Sequence, residues 1–390
     1  MSKIKEKIKN KINDIWLEYE SKMVNEIIED EDFEVIKQPN PKKIKKLAIV
    51  VPELKPFYGG HTSILRLGTI LTKKNIEVDF VSYSNQEKDE MKKIATLNLK
   101  DVKGNFKKYS DAKNEKYDFC VATSWRSFYY AKKMNGYKVY FIQDYEPYFF
   151  KVNERYLLAK KTYELGSHMI SLGNWNKKQI INNCQLVSKI DTIDFPYEPK
   201  EYTFQKREFE EYKNKETIKI AVYAKEEGKR IPNLIQSILI KADEILRKNN
   251  NLRLEISFFG FNKKYKTRIG TNLGKLSKEK LNELYNQSDF GMVASMTNIS
   301  LVPLEMLGTG LPIIEFRDGS YLDFMPEDTA IIIDYNAKTL VNKLIENLQN
   351  TEKLENMIDN SKKILNKLSW NNTVNQFYDI LEKTTKNYGE

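Results

Sequence analysis

Sulfur and imidazole are scarce in this chain. Its 390 residues include two cysteines, Cys120 and Cys184, and two histidines, His61 and His168. Two cysteines at that separation make neither a disulfide framework nor a metal-binding spacing, and two histidines are too few for a histidine-rich metal site. The expectation is a protein of a reducing compartment, with no metal and no bound cofactor. No apolar stretch reaches the roughly 20 residues that cross a bilayer. The basic, apolar-poor start does not read as a secretory signal, so the expected location is the cytoplasm. What is present supports a globular chain: hydrophobic residues are 41% and aromatics 12%, enough to build real cores. At this length two domains are expected rather than one. The net charge of +10, from 64 Lys+Arg against 54 Asp+Glu, suits acidic ligands or an anionic surface without requiring nucleic acid.

Residues 1–45 read as an N-terminal helical segment. Ile4, Ile8, Ile12, Trp16, Met23 and Ile27 recur mostly at four-residue spacing with lysines between the first of them. Such a helix either packs its apolar stripe on protein, the commoner fate, or lies on an anionic membrane at the inner face of the cell. Asp30-Glu31-Asp32 forms a DxD pattern inside an acidic run with no strand before it, which reads as solvated charge rather than a metal site.

From Lys46 the pattern becomes alternating strand and helix, giving an α/β class with two Rossmann-like, doubly wound domains. The first domain spans 46–200, with strands expected at 47–51, 76–83, 119–122, 139–143 and 169–172. The segment 194–216, with Pro196, Pro199 and dense charge, reads as a linker. The second domain spans 217–368, with strands at 218–223, 253–259, 290–294, 312–316 and 330–333. A final helical segment, 369–390, is expected to fold back on the first domain. Sheets of this kind bind ligands at the carboxyl ends of their strands, so a cleft between the two domains is expected.

Loops at those strand ends carry the candidate chemistry. Gly59-Gly60-His61 lies between a strand and a helix, where paired glycines admit a ligand close to the backbone and a helix start favours phosphate. It is neither GxGxxG nor a P-loop, and a plain tight turn is the alternative. Asp144 and Glu146 follow the strand at 139–142 and either orient or deprotonate an acceptor hydroxyl or simply form a turn. Lys225 and Arg230 follow the first strand of the second domain in the stretch Lys225-Glu226-Glu227-Gly228-Lys229-Arg230. Both could grip a diphosphate, each charge-assisted hydrogen bond being worth about 1.5–3 kcal/mol; a surface charge run is the alternative. Gly274 and Leu276 form a short loop ahead of a helix, suited to the edge of a base. Finally, strand 290–294 leads through Thr297, Asn298, Ser300 and Leu301 into a helix carrying Glu305. That helix start favours an anion, and the carboxylate could accept hydrogen bonds from a sugar diol.

Taken in order, Lys225…Arg230, Gly274-x-Leu276-Ser277, Ser288-Asp289-Phe290 and Pro303-Leu304-Glu305-Met306-Leu307-Gly308-x-Gly310-Leu311-Pro312-Ile313 resemble the GT-B glycosyltransferases of family 4. Within them they resemble the bacterial rhamnosyltransferase-like branch that builds surface polysaccharides. The resemblance spans about 46–370. It implies that Lys225 and Arg230 hold a donor diphosphate, that Glu305 binds the nucleoside ribose, and that backbone near Ser300 and Leu301 meets the diphosphate or sugar. It implies metal-independent transfer with retention of anomeric configuration, from a nucleotide sugar to a glycan or lipid-linked glycan. The family usually has two glutamates eight positions apart, and here the earlier position is Thr297. That departure suits a deoxyhexose donor such as dTDP-rhamnose, and equally motivates a GT-B scaffold in a glycan assembly complex that has lost catalysis.

Overall fold

Apolar runs bounded by turns form two parallel sheets, each covered on both faces by helices. The computed structural model describes residues 2–226 and 228–386, without the side chains of 2–13, 15 and 16. The side chains of the expected Ile4–Trp16 stripe, and Glu227, therefore lie outside what is described.

The first sheet contains β1 (Lys46–Val51), β2 (Glu77–Ser82), β3 (Asn105–Lys108), β4 (Lys116–Ala122), β5 (Asn135–Ile142), β6 (His168–Leu172) and β7 (Ile190–Ile193), in the order β3-β2-β1-β4-β5-β6-β7. The second contains β8 (Thr217–Tyr223), β9 (Arg253–Phe259), β10 (Thr271–Asn272), β11 (Phe290–Met292), β12 (Ile313–Phe316) and β13 (Ile331–Ile333), in the order β10-β9-β8-β11-β12-β13. Both orders reverse beside the first strand of the domain, which opens a crevice at the carboxyl edge. Strands β3, β7 and β10 were not expected. All three stand at or next to a sheet edge, where one side faces water, so their sequences carry polar residues instead of an apolar run.

Helix α1 (Ser2–Asp30) precedes the first sheet, whose connections hold α2 (Gly59–Thr72), α3 (Lys88–Asn98), α4 (Tyr109–Ala112), α5 (Trp125–Lys132), α6 (Glu154–Thr162) and α7 (Asn174–Asn183). The second domain holds α8 (Pro232–Asn250), α9 (Lys278–Gln287), α10 (Leu301–Gly308), α11 (Ala337–Gln349) and α12 (Glu352–Leu365), and α13 (Trp370–Lys386) ends the described chain. None of these helices is long and apolar enough to cross a membrane. The far end of α1 packs on protein: Met23 and Ile27 are buried, Glu20 pairs with Arg155 of α6, and Asp30 with Lys133. Asp32 pairs with Lys132, so both carboxylates of the DxD pattern are neutralised by lysines.

The expected linker is less open than its composition suggests. It contains two short 3-10 helices, Pro199–Glu201 and Phe209–Asn214, and Tyr202, Phe209 and Tyr212 bury their rings in the core. Aromatic anchors outweigh the flanking charges because each buries a large apolar area. Helix α13 buries Trp370, Val374, Phe377 and Leu381 at three- and four-residue spacing. It returns to the first domain, where Phe377 meets Phe141 of β5 edge to face at 5.9 Å and Gln376 and Thr373 bind Asp194. The two domains are thereby tied at both ends of the chain path. Phe377→Ala should cost about 3–5 kcal/mol, the usual range for an emptied aromatic site, and a lower denaturant midpoint with the same slope would show it.

Candidate active site

The carboxyl ends of the two sheets face one another across a cleft of about 1200 Å³. Typical single-ligand pockets occupy about 300–1,000 Å³, so this one has room for two substrates meeting end to end. Its walls include Gly59, Gly60, His61, Asp144 and Glu146 from the first domain and Lys225, Arg230, Leu276, Asn298, Ser300, Leu301 and Glu305 from the second.

On the second domain the site is organised by the loop between β11 and α10. Ser300 precedes the helix in extended conformation, but its hydroxyl makes no capping bond and is buried without a partner among the described residues. The opening turn at Leu301 and Val302 therefore faces the cleft without a side-chain cap, which is the arrangement that receives an anion. From below, the loop is held by Glu315 of β12, whose carboxylate accepts the Ser295 hydroxyl at 2.7 Å and the Ser295 N–H at 3.1 Å. Burial pushes Glu315 up to about 7. Arg230 lies alongside, buried, with Nη1 donating to the Ala294 carbonyl at 2.9 Å and its guanidinium 5.6 Å from the Tyr223 ring. Its Nε has no partner among the described residues. The Lys225 ammonium is 5.2 Å from the Tyr58 ring of the facing domain.

Glu305, on the cleft side of α10, has its carboxyl raised to about 7 by burial, against the lowering influence of the nearby Tyr202 hydroxyl. Glu201 pushes in the same direction as burial, and Lys278 and Arg66 oppose it. Arg66 is almost fully buried in α2, ion-paired with Glu201 and Glu198, and stacked 5.3 Å from the Trp370 ring. Gly274 sits behind the wall, its carbonyl accepting the Gly260 N–H at 2.8 Å and its own N–H bound to Asn272. Leu276 next to it reaches the cleft.

On the first domain, Gly59 and Gly60 are not in a loop but form the first turn of α2, with the Thr62 N–H bonded to the Tyr58 carbonyl at 3.0 Å. The helix starts early because the preceding loop is pinned at a distance: Asn98 bonds both Tyr58 and Lys55, and the Lys55 N–H donates to His61 Nδ1 at 3.0 Å. A Cβ on Gly59 would meet no atom within 4 Å, so the backbone there is open to a ligand. Burial lowers His61 to about 4, so its ring is neutral at pH 7. One Glu146 oxygen accepts the N–H of Trp125, the first residue of α5, at 2.7 Å. Burial nevertheless pushes Glu146 up to about 8, and the charge of Asp144 adds to the rise.

Thr297 and Asn298 turn toward the first domain. The Thr297 hydroxyl donates to Asp144 Oδ2 at 2.9 Å and the Asn298 N–H to Oδ1 at 3.0 Å. Asn298 Nδ2 donates to the carbonyls of Gln143 and Leu172 at 2.8 and 3.1 Å. Lys229 lies 3.6 Å from Asp144 and 3.8 Å from the Phe149 ring centroid. Lys229, Tyr202 and Arg66 are cleft residues that the sequence reading did not single out. Arg66 left a trace, being the one charged residue inside the apolar run of 64–67; Tyr202 left none. Among the described residues, no group of three or more His, Cys, Asp and Glu is placed to hold a metal ion.

The raised carboxyls fix a sign for pH dependence. A carboxyl with a higher pKa folded than unfolded binds more protons in the native state, so stability falls as pH rises from the unfolded value toward the folded one. Between about pH 4.5 and 8 Glu146 should therefore destabilise the fold progressively. Glu146→Gln should flatten the decline in Tm across that window. A decline as steep as in the parent chain would assign it to other groups.

No protein-family model matches the sequence, and no curated protein matches it either. Solved structures do. HepE from Anabaena in complex with UDP-glucose superposes with a TM-score of 0.64 at 12% identity, over 87% of this chain and 99% of that one. TarM from S. aureus gives 0.66 at 11% identity over 87% and 99%. WaaG, a glycosyltransferase involved in lipopolysaccharide biosynthesis, gives 0.59 at 14% identity over 86% and 99%. The architecture is thus the GT-B fold along nearly the whole described chain.

Proposed function

We propose that this chain is a glycosyltransferase that takes a sugar from a nucleotide-diphosphate donor. The observation that carries the reading is the convergence of Lys225, Arg230, the uncapped start of α10 and Glu305 on one cleft of a GT-B fold. HepE, of the same fold, is described with UDP-glucose, which supports a nucleotide sugar as the ligand.

In this reading the ribose hydroxyls donate to Glu305, which Tyr202 orients, and Leu276 lies against the base. The diphosphate rests on the start of α10 between Arg230 and Lys225. Breaking the anomeric C–O bond develops positive charge on the sugar and further negative charge on the departing diphosphate. Two cations and a helix terminus fixed in place before reaction stabilise the leaving group without reorganisation cost, and a divalent cation is not called on. Retention of configuration, as in family 4, follows if the acceptor attacks on the face the diphosphate leaves. Glu146 then faces the acceptor hydroxyl. With its carboxyl raised, it holds that hydroxyl by a hydrogen bond at neutral pH and takes its proton at alkaline pH. A deoxyhexose donor and a lipid-linked or surface-glycan acceptor complete the proposal, the former because the side chain of Thr297 is turned away from the donor side.

Thermal-shift screening against UDP, GDP and dTDP sugars should find one clear stabiliser. A ligand at 100 times its Kd adds about 2.7 kcal/mol of apparent stability. Arg230→Ala should lower kcat by roughly 10²–10³, as loss of a preorganised charge stabiliser does, and should also cost about 1–3 kcal/mol of stability through the orphaned Ala294 carbonyl. Glu305→Ala should abolish the nucleotide-induced shift. Absence of any shift in the parent chain would turn the reading toward a non-catalytic scaffold.

A further inference from the structure

We infer that Asp144 is a positioning residue, the catch of an interdomain clasp that sets the donor loop against the acceptor domain. The observation is independent of any ligand. A single first-domain carboxylate takes the Thr297 hydroxyl on one oxygen and the Asn298 N–H on the other, with the Lys229 ammonium alongside. The Asn298 side chain returns two bonds to backbone carbonyls at the ends of β5 and β6, those of Gln143 and Leu172. Thr297 and Asn298 are almost fully buried. Their side chains are thus committed across the domain boundary, and Asp144 has both oxygens engaged.

Position sets the consequence. Asn298 is two residues before Ser300, the residue that opens α10, and Lys229 adjoins Arg230. One carboxylate therefore fixes both the helix start and the cationic turn relative to the wall that carries Glu146. The clasp also explains what Thr297 does in place of a carboxylate: a Glu at this position would set a second negative charge against Asp144. Elsewhere on the interface, Gly173 lies against the Phe324 ring, with no room for a Cβ, and Lys178 pairs with Asp323. These contacts join the domains next to the same strand ends, since Gly173 directly follows Leu172. As a statement about turnover this rests on the glycosyltransferase reading; as a statement about domain geometry it does not.

The test is amide hydrogen exchange on the full chain, following the segment 296–300, with strand β12 as a control for global unfolding. Asp144→Ala and Thr297→Val should each accelerate exchange of that segment about tenfold, the effect of losing one or two hydrogen bonds, while β12 stays protected. Asp144→Asn, which keeps an acceptor oxygen, should fall between them and the parent. Thr297→Glu should accelerate exchange at least as much, and adding Asp144→Asn should restore protection by removing the repulsion. Transfer assays then separate the roles: nucleotide affinity should be retained in Asp144→Asn, because the donor groups all belong to the second domain, while kcat falls. Unchanged exchange in Asp144→Ala, or no rescue of Thr297→Glu, overturns the clasp. If exchange responds as described but no nucleotide sugar binds the parent chain, the clasp stands and the sugar-transfer reading falls.

Discussion

In a parallel sheet every strand points the same way, so the backbone groups that leave the ladder at its carboxyl end all emerge on one edge. Here two such edges face each other, and what happens to their polar groups decides the rest. Some are satisfied internally: Gln86 bonds both polar groups of Leu54, and Ser295 is bound by Glu315. Others are satisfied across the boundary, as at Asp144 and Asn298. The start of α10 receives no side-chain cap, and it is there that an external anion has a place.

Charge in and around the cleft is paired in part, as between Lys229 and Asp144 or Arg66 and Glu201. Arg230, Lys225 and Lys229 gather near the loop before α10, while the carboxyls of Glu305, Glu146 and Glu315 are all raised by burial. A buried carboxylate without a full partner stores an unfavourable desolvation term. Each of these three is relieved in part, chiefly by Tyr202 for Glu305, the Trp125 N–H for Glu146 and Ser295 for Glu315, with nearby cations adding to the relief. Glu305 and Glu146 line the cleft, while Glu315 lies beneath the loop before α10.

Much of the fold was legible because buried parallel strands are apolar runs, as at 47–51 and 218–223, while 253–259 showed itself by alternation of polar and apolar residues. Helix starts coincide with a proline or a capping side chain at Pro232 and Ser277. The edge strands β3, β7 and β10 were not, since a half-exposed strand of two to four residues has no apolar run to read. Within the site, residues standing in loops after strands were found because topology alone sends such loops to the cleft. Tyr202 and Arg66 were missed because they arrive from a linker and a helix flank, and only tertiary packing sets them beside Glu305. The pairing of Asp144 with Thr297 joins positions 153 residues apart, a separation at which local pattern carries no information. It is also where Thr297 acquires a physical reason, as a donor to Asp144.

The central claim is that one cleft holds a nucleoside diphosphate with its phosphates at the start of α10 and its ribose at Glu305. A crystal structure of the full chain soaked with UDP, GDP and dTDP in turn tests it most directly. The account predicts pyrophosphate oxygens within hydrogen-bond reach of Arg230 and the Leu301 and Val302 N–H groups, with ribose oxygens on Glu305. A nucleotide bound outside this cleft, or seated in it with Glu305 and Arg230 untouched, would contradict it.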